Sequence, residues 1–254
     1  TPLVKLNRLA DSTMATVLVK VEYVNPTGSI KDRMALYMIE QAEKRGQLKP
    51  GATIIEGTAG NTGLGVAMVA AIKGYRCIFT MPDKMSLEKI NMLKAFGAEV
   101  IITPTSVDHD HPDHYVQVAK RLAKEIPDAM YLDQYFSADN PMAHYLTTGP
   151  EIWSDTDGLV DYFVASGGTG GTVSGVGRYL KEQAKAAGRE VKIVCPDPEG
   201  SIFYDVFHRT GILETKSYKV EGIGNDILVG YLDLSVIDDI RKVNDNAASI
   251  VARR

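Results

Sequence analysis

The sequence predicts an α/β fold with mostly parallel sheets, and three observations carry that prediction. Short β-rich runs alternate with helical patterns almost throughout the chain. The helical runs stop at glycine, as at Gly46 and Gly74. Two strand-to-helix corners, "EGTAGNTGLG" (56–65) and "SGGTGGT" (166–172), are unusually rich in glycine. Parallel strands need crossover helices, and ligands bind off the carboxyl ends of such strands, so the residues just after each strand are the ones to read for chemistry.

Taken in order, "TVLVKVEY" (16–23) reads as a strand. A helix follows it, with Ser29 as N-cap, Asp32 three residues later as the acid of a capping box, and Met34, Ala35, Met38, Ile39 and Ala42 at helical spacing. "TIIEGT" (53–58) feeds a helix through "NTGLGVAMVAAIK". "YRCIFTMP" feeds "SLEKINMLKAFG", "AEVIITP" feeds "PDHYVQVAKRLAKEIP", and "AMYLDQY" feeds a single helical run, "NPMAHYLTTGPEIW". "DYFVAS" then feeds "TVSGVGRYLKEQAKAAG", and "VKIVCP" is the last strand. Residues 197–226 are irregular, and "VIDDIRKVNDNAASIVARR" reads as one terminal amphipathic helix.

With 254 residues, either one large α/β unit or two domains would fit. The net charge is −4 and no basic block occurs, which argues against nucleic acid as a partner. Cys77 and Cys195 sit inside apolar runs and read as buried, reduced thiols, the pattern of a cytoplasmic protein. No apolar stretch reaches membrane-spanning length, and "TPLVKLNRLA" lacks the order of a signal peptide, so no membrane partner is expected.

Lys31 is the residue that calls for an explanation. It falls in the first turn of its helix, where exposed N–H groups and the macrodipole disfavour a cation and should lower its pKa.

"SGGTGGT" is the strongest local signal. Converging N–H groups at a helix start, with the hydroxyls of Thr169 and Thr172, suit a phosphate. Neither G-x-G-x-x-G nor a P-loop lysine is present, so a nucleotide is not indicated. The 56–65 corner offers Thr58, Asn61 and Thr62 beside the N–H groups of Ala59, Gly60 and Asn61, which suits a carboxylate or a ring hydroxyl, or serves only as a helix cap. Gln134 and Tyr135 follow a strand, where they reach a ligand or simply cap and pack. "EGIGND" (221–226) reads as a tight glycine turn. His109, His111 and His114 lie among carboxylates. A helix start with Pro112 at its first position explains them better than a metal, and no metal site is expected. Trp153 reads as helix packing, and no G-x-S-x-G elbow for serine hydrolysis occurs.

Together "NPTGSIKDR", "EGTAGNTG" and "SGGTGGT", in this order and on these corners, resemble the fold-type II pyridoxal phosphate enzymes, in the branch of cysteine synthases and cystathionine β-synthases. The resemblance covers essentially the whole chain and implies a tryptophan synthase β-like fold of two three-layer α/β domains. Residues 25–135 would form the first, with a mobile part at about 77–121; residues 1–24 would join 136–254 in the second. It implies pyridoxal 5′-phosphate as cofactor, Lys31 as its covalent anchor and catalytic base, and Asn61 at the ring hydroxyl. Gly168, Thr169, Gly170, Gly171 and Thr172 would take the phosphate. Thr58, Ala59, Gly60, Thr62 and Gln134 would hold the substrate carboxylate, with Tyr135 and Gly222 also at the substrate.

The implied reaction is β-replacement on an amino acid. "DQY", "DPEGSI" and "EGIGND" are more similar to the cystathionine β-synthases, which use serine and homocysteine, than to the cysteine synthases, which use O-acetylserine and sulfide. The implied partners are small amino-acid and thiol substrates and a second copy of the chain in a homodimer. The usual threonine–serine–glycine–asparagine order is altered by Ala59. A second glycine- and serine-rich segment, which sets a hydroxyl opposite the pyridine nitrogen, is expected after Arg254. Two other readings keep parts of the pattern: a catalytically silent sensor or scaffold, and a phosphosugar-binding protein with an incidental Lys31.

Overall fold

Every residue of Thr53–Gly57 is buried, and this run forms β3 of a four-stranded sheet. A strand covered on both faces loses the polar alternation of a half-exposed one, and "TIIEG" shows that loss. The computed structural model describes residues 1–7, 15–58 and 60–253. The chain divides into two compact units, Tyr23–Asp139 and Thr1–Glu22 with Asn140–Arg254.

In the unit Tyr23–Asp139 the strand order is β5 (Glu99–Thr103), β4 (Arg76–Pro82), β3, β6 (Ala129–Tyr131), parallel throughout. Ile55 lies opposite Ile78 on one side and Tyr131 on the other. Helix α1 (Lys31–Lys44) precedes β3, and α2 (Asn61–Lys73), α3 (Leu87–Ala95) and α4 (Tyr115–Glu125) connect the strands. Ile55, Ile78 and Ala119 of α4 form one core cluster. On α1 the predicted apolar positions Met34, Ala35, Met38, Ile39 and Ala42 are all buried, and each of the large ones contributes roughly 1.5–3 kcal/mol of hydrophobic stabilisation. Packing of α1 on α2 depends on Gly65, where a Cβ would lie 3.0 Å from the carbonyl oxygen of Lys31.

The other unit holds a parallel three-stranded sheet, β7 (Tyr162–Val164), β8 (Lys192–Pro198), β9 (Asp239–Val243), and a small antiparallel pair, β1 (Leu3–Lys5) with β2 (Leu18–Lys20). Its helices are α5 (Asp139–Leu146), α6 (Thr148–Asp155), α7 (Gly171–Ala186), α8 (Phe203–His208) and α9 (Asp245–Ala252).

Five expectations are corrected. The strand expected over 16–23 is three residues long and gives way to a 3-10 turn at Glu22–Val24. The single helix expected over "NPMAHYLTTGPEIW" is two, because Pro150 has no N–H to donate and its ring excludes a continuous ladder, so the chain restarts at Thr148. Pro112 is not at a helix start. His114 is the N-cap of α4, its Nδ1 accepting from the Val116 N–H at 3.4 Å, and no acid lies in the first turn. The terminal helix is only α9, since Asp239–Val243 pairs with β8 and buries Ile240 completely. Ser29 is not the N-cap of α1. The cap is Ile30, the Ser29 hydroxyl accepts from the Lys31 N–H at 3.2 Å, and Asp32 reaches back to the N–H and hydroxyl of Thr27.

Candidate functional site

Lys31 is the first residue of α1. The turn before it is closed by the Gly28 N–H on the Asn25 carbonyl at 2.8 Å, with Gly28 at φ +82°. Its pKa is lowered, and the cause is desolvation by burial of the ammonium. The direction matches the sequence expectation, and removal of water adds a cause that the sequence does not show. A larger share of the amine is neutral at a given pH than for a solvated lysine, and only the neutral amine is a nucleophile.

In the same unit β3 runs through Thr58 and Gly60 into Asn61, the first residue of α2. Ala59 lies outside the described residues. Thr58 is buried; its N–H donates to the Thr80 carbonyl at 3.1 Å, and its hydroxyl accepts from the Gly60 N–H at 3.3 Å. Gly60 and Asn61 are exposed. The Thr62 hydroxyl donates to Gln134 Oε1 at 2.6 Å, with both residues buried, so Thr62 fixes the amide of Gln134, whose side chain also hydrogen-bonds Glu56. Gln134 and half-buried Tyr135 occupy the turn after β6, closed by the Phe136 N–H on the Asp133 carbonyl at 3.2 Å. Sequence spacing therefore found two corners, and the fold joins them through the Thr62–Gln134 bond.

Glu56 was missed by the sequence reading. It is fully buried on β3, and its Oε2 accepts from the Asp133 N–H at 2.8 Å, pinning the strand end where Asp133 takes φ +57°. Burial and the neighbouring Asp133 push its pKa up to about 8, so Glu56 is largely protonated at neutral pH.

The glycine loop lies in the other unit, between β7 and α7. Gly170 sits at φ +82° immediately before α7, where a side chain would be strained, and its Cβ would lie 2.6 Å from Leu232 Cα. A Cβ on Gly168 would lie 2.6 Å from the Gly222 carbonyl oxygen, and one on Gly171 would overlap Asn140 Oδ1. The backbone is thus backed on three sides, and the glycines are required by close approach. Gly222 is part of that backing: the 221–226 turn runs along the loop, with the Gly224 N–H donating to the Gly167 carbonyl at 2.6 Å.

Two side chains from α5 reach the loop's threonines. Asn140 Nδ2 donates to Thr169 Oγ1 at 2.9 Å, and buried His144 sets Nε2 3.4 Å from Thr172 Oγ1 and Nδ1 3.0 Å from Thr148 Oγ1. Neither was singled out from sequence, where both look like ordinary helix residues. An N-terminal helix turn, glycine backbone and hydroxyl donors form an arrangement able to hold a phosphate dianion.

Cys77 and Cys195 are free and buried, and desolvation pushes their thiols up to about 12 and about 11. No group of three metal-ligating side chains is found among the described residues. Trp153 packs its indole against Gly158. No helix among the described residues is long and apolar enough to cross a membrane.

A family model described as "Pyridoxal-phosphate dependent enzyme" matches residues 1–254. Cystathionine beta-synthase of Rattus norvegicus is 49% identical over 255 residues, covering 100% of this chain and 45% of that protein. Cystathionine beta-synthase of Saccharomyces cerevisiae is 46% identical over 264 residues, covering 100% of this chain and 51% of its own length. Cysteine synthase 1 of Neurospora crassa is 43% identical over 249 residues, 96% of this chain and 65% of that protein. The chain spans about half the length of the cystathionine beta-synthases it matches. The match over the whole chain, on a fold of α/β units with mostly parallel sheets, shows that the chain belongs to the family of pyridoxal phosphate-dependent enzymes.

Proposed function

We propose that this chain is the catalytic portion of a β-synthase that replaces the hydroxyl of serine with the thiol of homocysteine to give cystathionine. The observation that carries the reading is the desolvated Lys31 amine on the corner where the motif resemblance expects the cofactor anchor. Similarity to cystathionine beta-synthases over the whole chain supports the substrates.

In this reading Lys31 Nζ holds the cofactor covalently at its aldehyde carbon, Asn61 meets the ring hydroxyl, and residues 168–172 take the phosphate. Thr58, Ala59, Gly60, Thr62 and Gln134 bind the substrate carboxylate, Gln134 being held in place by its bond to Thr62. Gly222 and Tyr135 border the substrate. When bound, pyridoxal phosphate supplies an electron sink for the charge left at Cα. Freed Lys31 Nζ takes the Cα proton and passes it to the Cβ oxygen, which leaves as water. The thiol then gives its proton to Nζ as sulfur bonds to Cβ, and Nζ returns that proton to Cα. The sum is serine plus thiol giving thioether plus water.

O-acetylserine with sulfide is the second reading, favoured by the similarity to a cysteine synthase; acetate leaves without the proton that hydroxide needs. A homodimer in the cytoplasm completes the proposal. The exposed apolar side chains of Tyr23, Val24, Leu36 and Ile72, the last two lining a depression of about 270 Å³, support self-association.

Borohydride reduction of the cofactor-loaded protein followed by peptide mapping tests the anchor, with label expected on Lys31. Side-by-side assays then decide the substrates. Faster turnover of serine with homocysteine supports the proposal, faster turnover of O-acetylserine with sulfide transfers it to the second reading, and labelled Lys31 with no turnover identifies a scaffold.

A further inference from the structure

Thr169 Oγ1 receives two hydrogen bonds: from Asn140 Nδ2 at 2.9 Å and from the Gly171 N–H at 3.4 Å. A hydroxyl has two lone pairs and one hydrogen, so with both lone pairs engaged Thr169 retains only its donor. A phosphate dianion presents only acceptors.

We propose that Asn140 is a positioning residue that fixes Thr169 as a donor and thereby makes the loop before α7 selective for a phosphorylated ligand. The inference rests on the reading that residues 168–172 take the cofactor's phosphate. Asn140 is suited to the task because it is 1% exposed, and because its carboxamide sits so close to the loop that a Cβ on Gly171 would overlap Oδ1. Solvent therefore does not compete for the amide, and the glycine backbone limits its rotation. Without the amide, a lone pair of Thr169 would face a phosphate oxygen as readily as its hydrogen does. A neutral hydroxymethyl group, which both donates and accepts, would be indifferent to that change.

The test compares affinities of the apo-protein for pyridoxal 5′-phosphate and for pyridoxal, by absorbance titration. Asn140→Leu keeps the branched shape but cannot donate, and it should lower the preference for the phosphorylated form about five- to tenfold, the worth of one or two hydrogen bonds, with pyridoxal affinity unchanged. Asn140→Asp can only accept and should lower the preference further. In a Thr169→Val background the Asn140→Leu change should add less than about twofold, because the amide then has no hydroxyl to set. Should Asn140→Leu lack native circular dichroism, Asn140→Ala is read in its place.

Equal loss for both ligands means a structural role for Asn140 and overturns the proposal, as does an unchanged preference in Asn140→Leu or Asn140→Asp. Those outcomes leave the phosphate reading of the loop standing. A wild-type protein that binds both forms equally would instead overturn that reading, and this proposal with it.

Discussion

Replacing Glu56 by glutamine should change how stability depends on pH far more than it changes the structure. The variant keeps the side chain's size and retains a carbonyl oxygen for the Asp133 N–H, which lies 2.8 Å from Oε2. In the wild type the folded-state pKa is about 8 against a reference value of 4.5, chiefly through desolvation and the charge of Asp133. Between those two values the folded chain binds the proton more tightly than the unfolded chain, so stability is greatest below pH 4.5 and falls as pH rises toward 8. The limiting slope is about 1.4 kcal/mol per pH unit, and from pH 5 to pH 9 the loss amounts to about 4 kcal/mol. Glutamine does not ionise, so this loss vanishes. Urea denaturation of the apo-protein and of Glu56→Gln at pH 5, 7 and 9 should give curves that diverge with pH, the variant gaining relative to the wild type. Parallel profiles, differing by less than about 1 kcal/mol across that range, would refute the claim that burial keeps this carboxyl protonated at neutral pH.

Four further outcomes are expected. Lys31→Ala should abolish turnover and borohydride labelling while leaving circular dichroism unchanged. In the wild type, the rate of cofactor attachment should rise with pH along a curve whose midpoint lies below the lysine reference of 10.5, because the lowered pKa frees the amine sooner; a midpoint at or above it would contradict a desolvated Lys31. Gly171→Ala forces a methyl onto Asn140 Oδ1, and its thermal midpoint and phosphate affinity should both fall; a loss of less than about 1 kcal/mol would show that α5 can move aside. Thr62→Val removes the 2.6 Å bond to buried Gln134 at a cost of about 1–3 kcal/mol, and the KM for the amino acid should rise more than kcat falls, since the carboxylate site loses orientation.

Much of the fold could be read from local patterns. The buried face of α1 follows from apolar spacing, and Gly74, at φ +78°, closes α2 where predicted. Both glycine corners were legible because a residue that must accept a positive φ or a close backbone neighbour leaves its mark at its own position. Asp239–Val243 escaped because "VIDDIRKV" satisfies helical spacing, and only pairing with β8, more than forty residues earlier, selects the extended form. The split of α5 from α6 was carried by Pro150 and overlooked, so that miss was a failure to apply a visible signal.

The candidate site divides the same way. Lys31, Asn61 and the 168–172 loop announce themselves by residue type and position, because helix starts and glycine turns are governed by a few adjacent dihedrals. Glu56, Asn140 and His144 do not, since nothing in their neighbourhood distinguishes them from ordinary strand and helix residues. Their surroundings come from Asp133, Thr169 and Thr172, each 28 or more positions away. The sequence by itself determined where backbone donors converge and where an amine meets a helix start. Only the tertiary structure decided how far that amine is dried and which buried partners orient the loops, because desolvation and side-chain hydrogen bonding depend on what packs nearby in space.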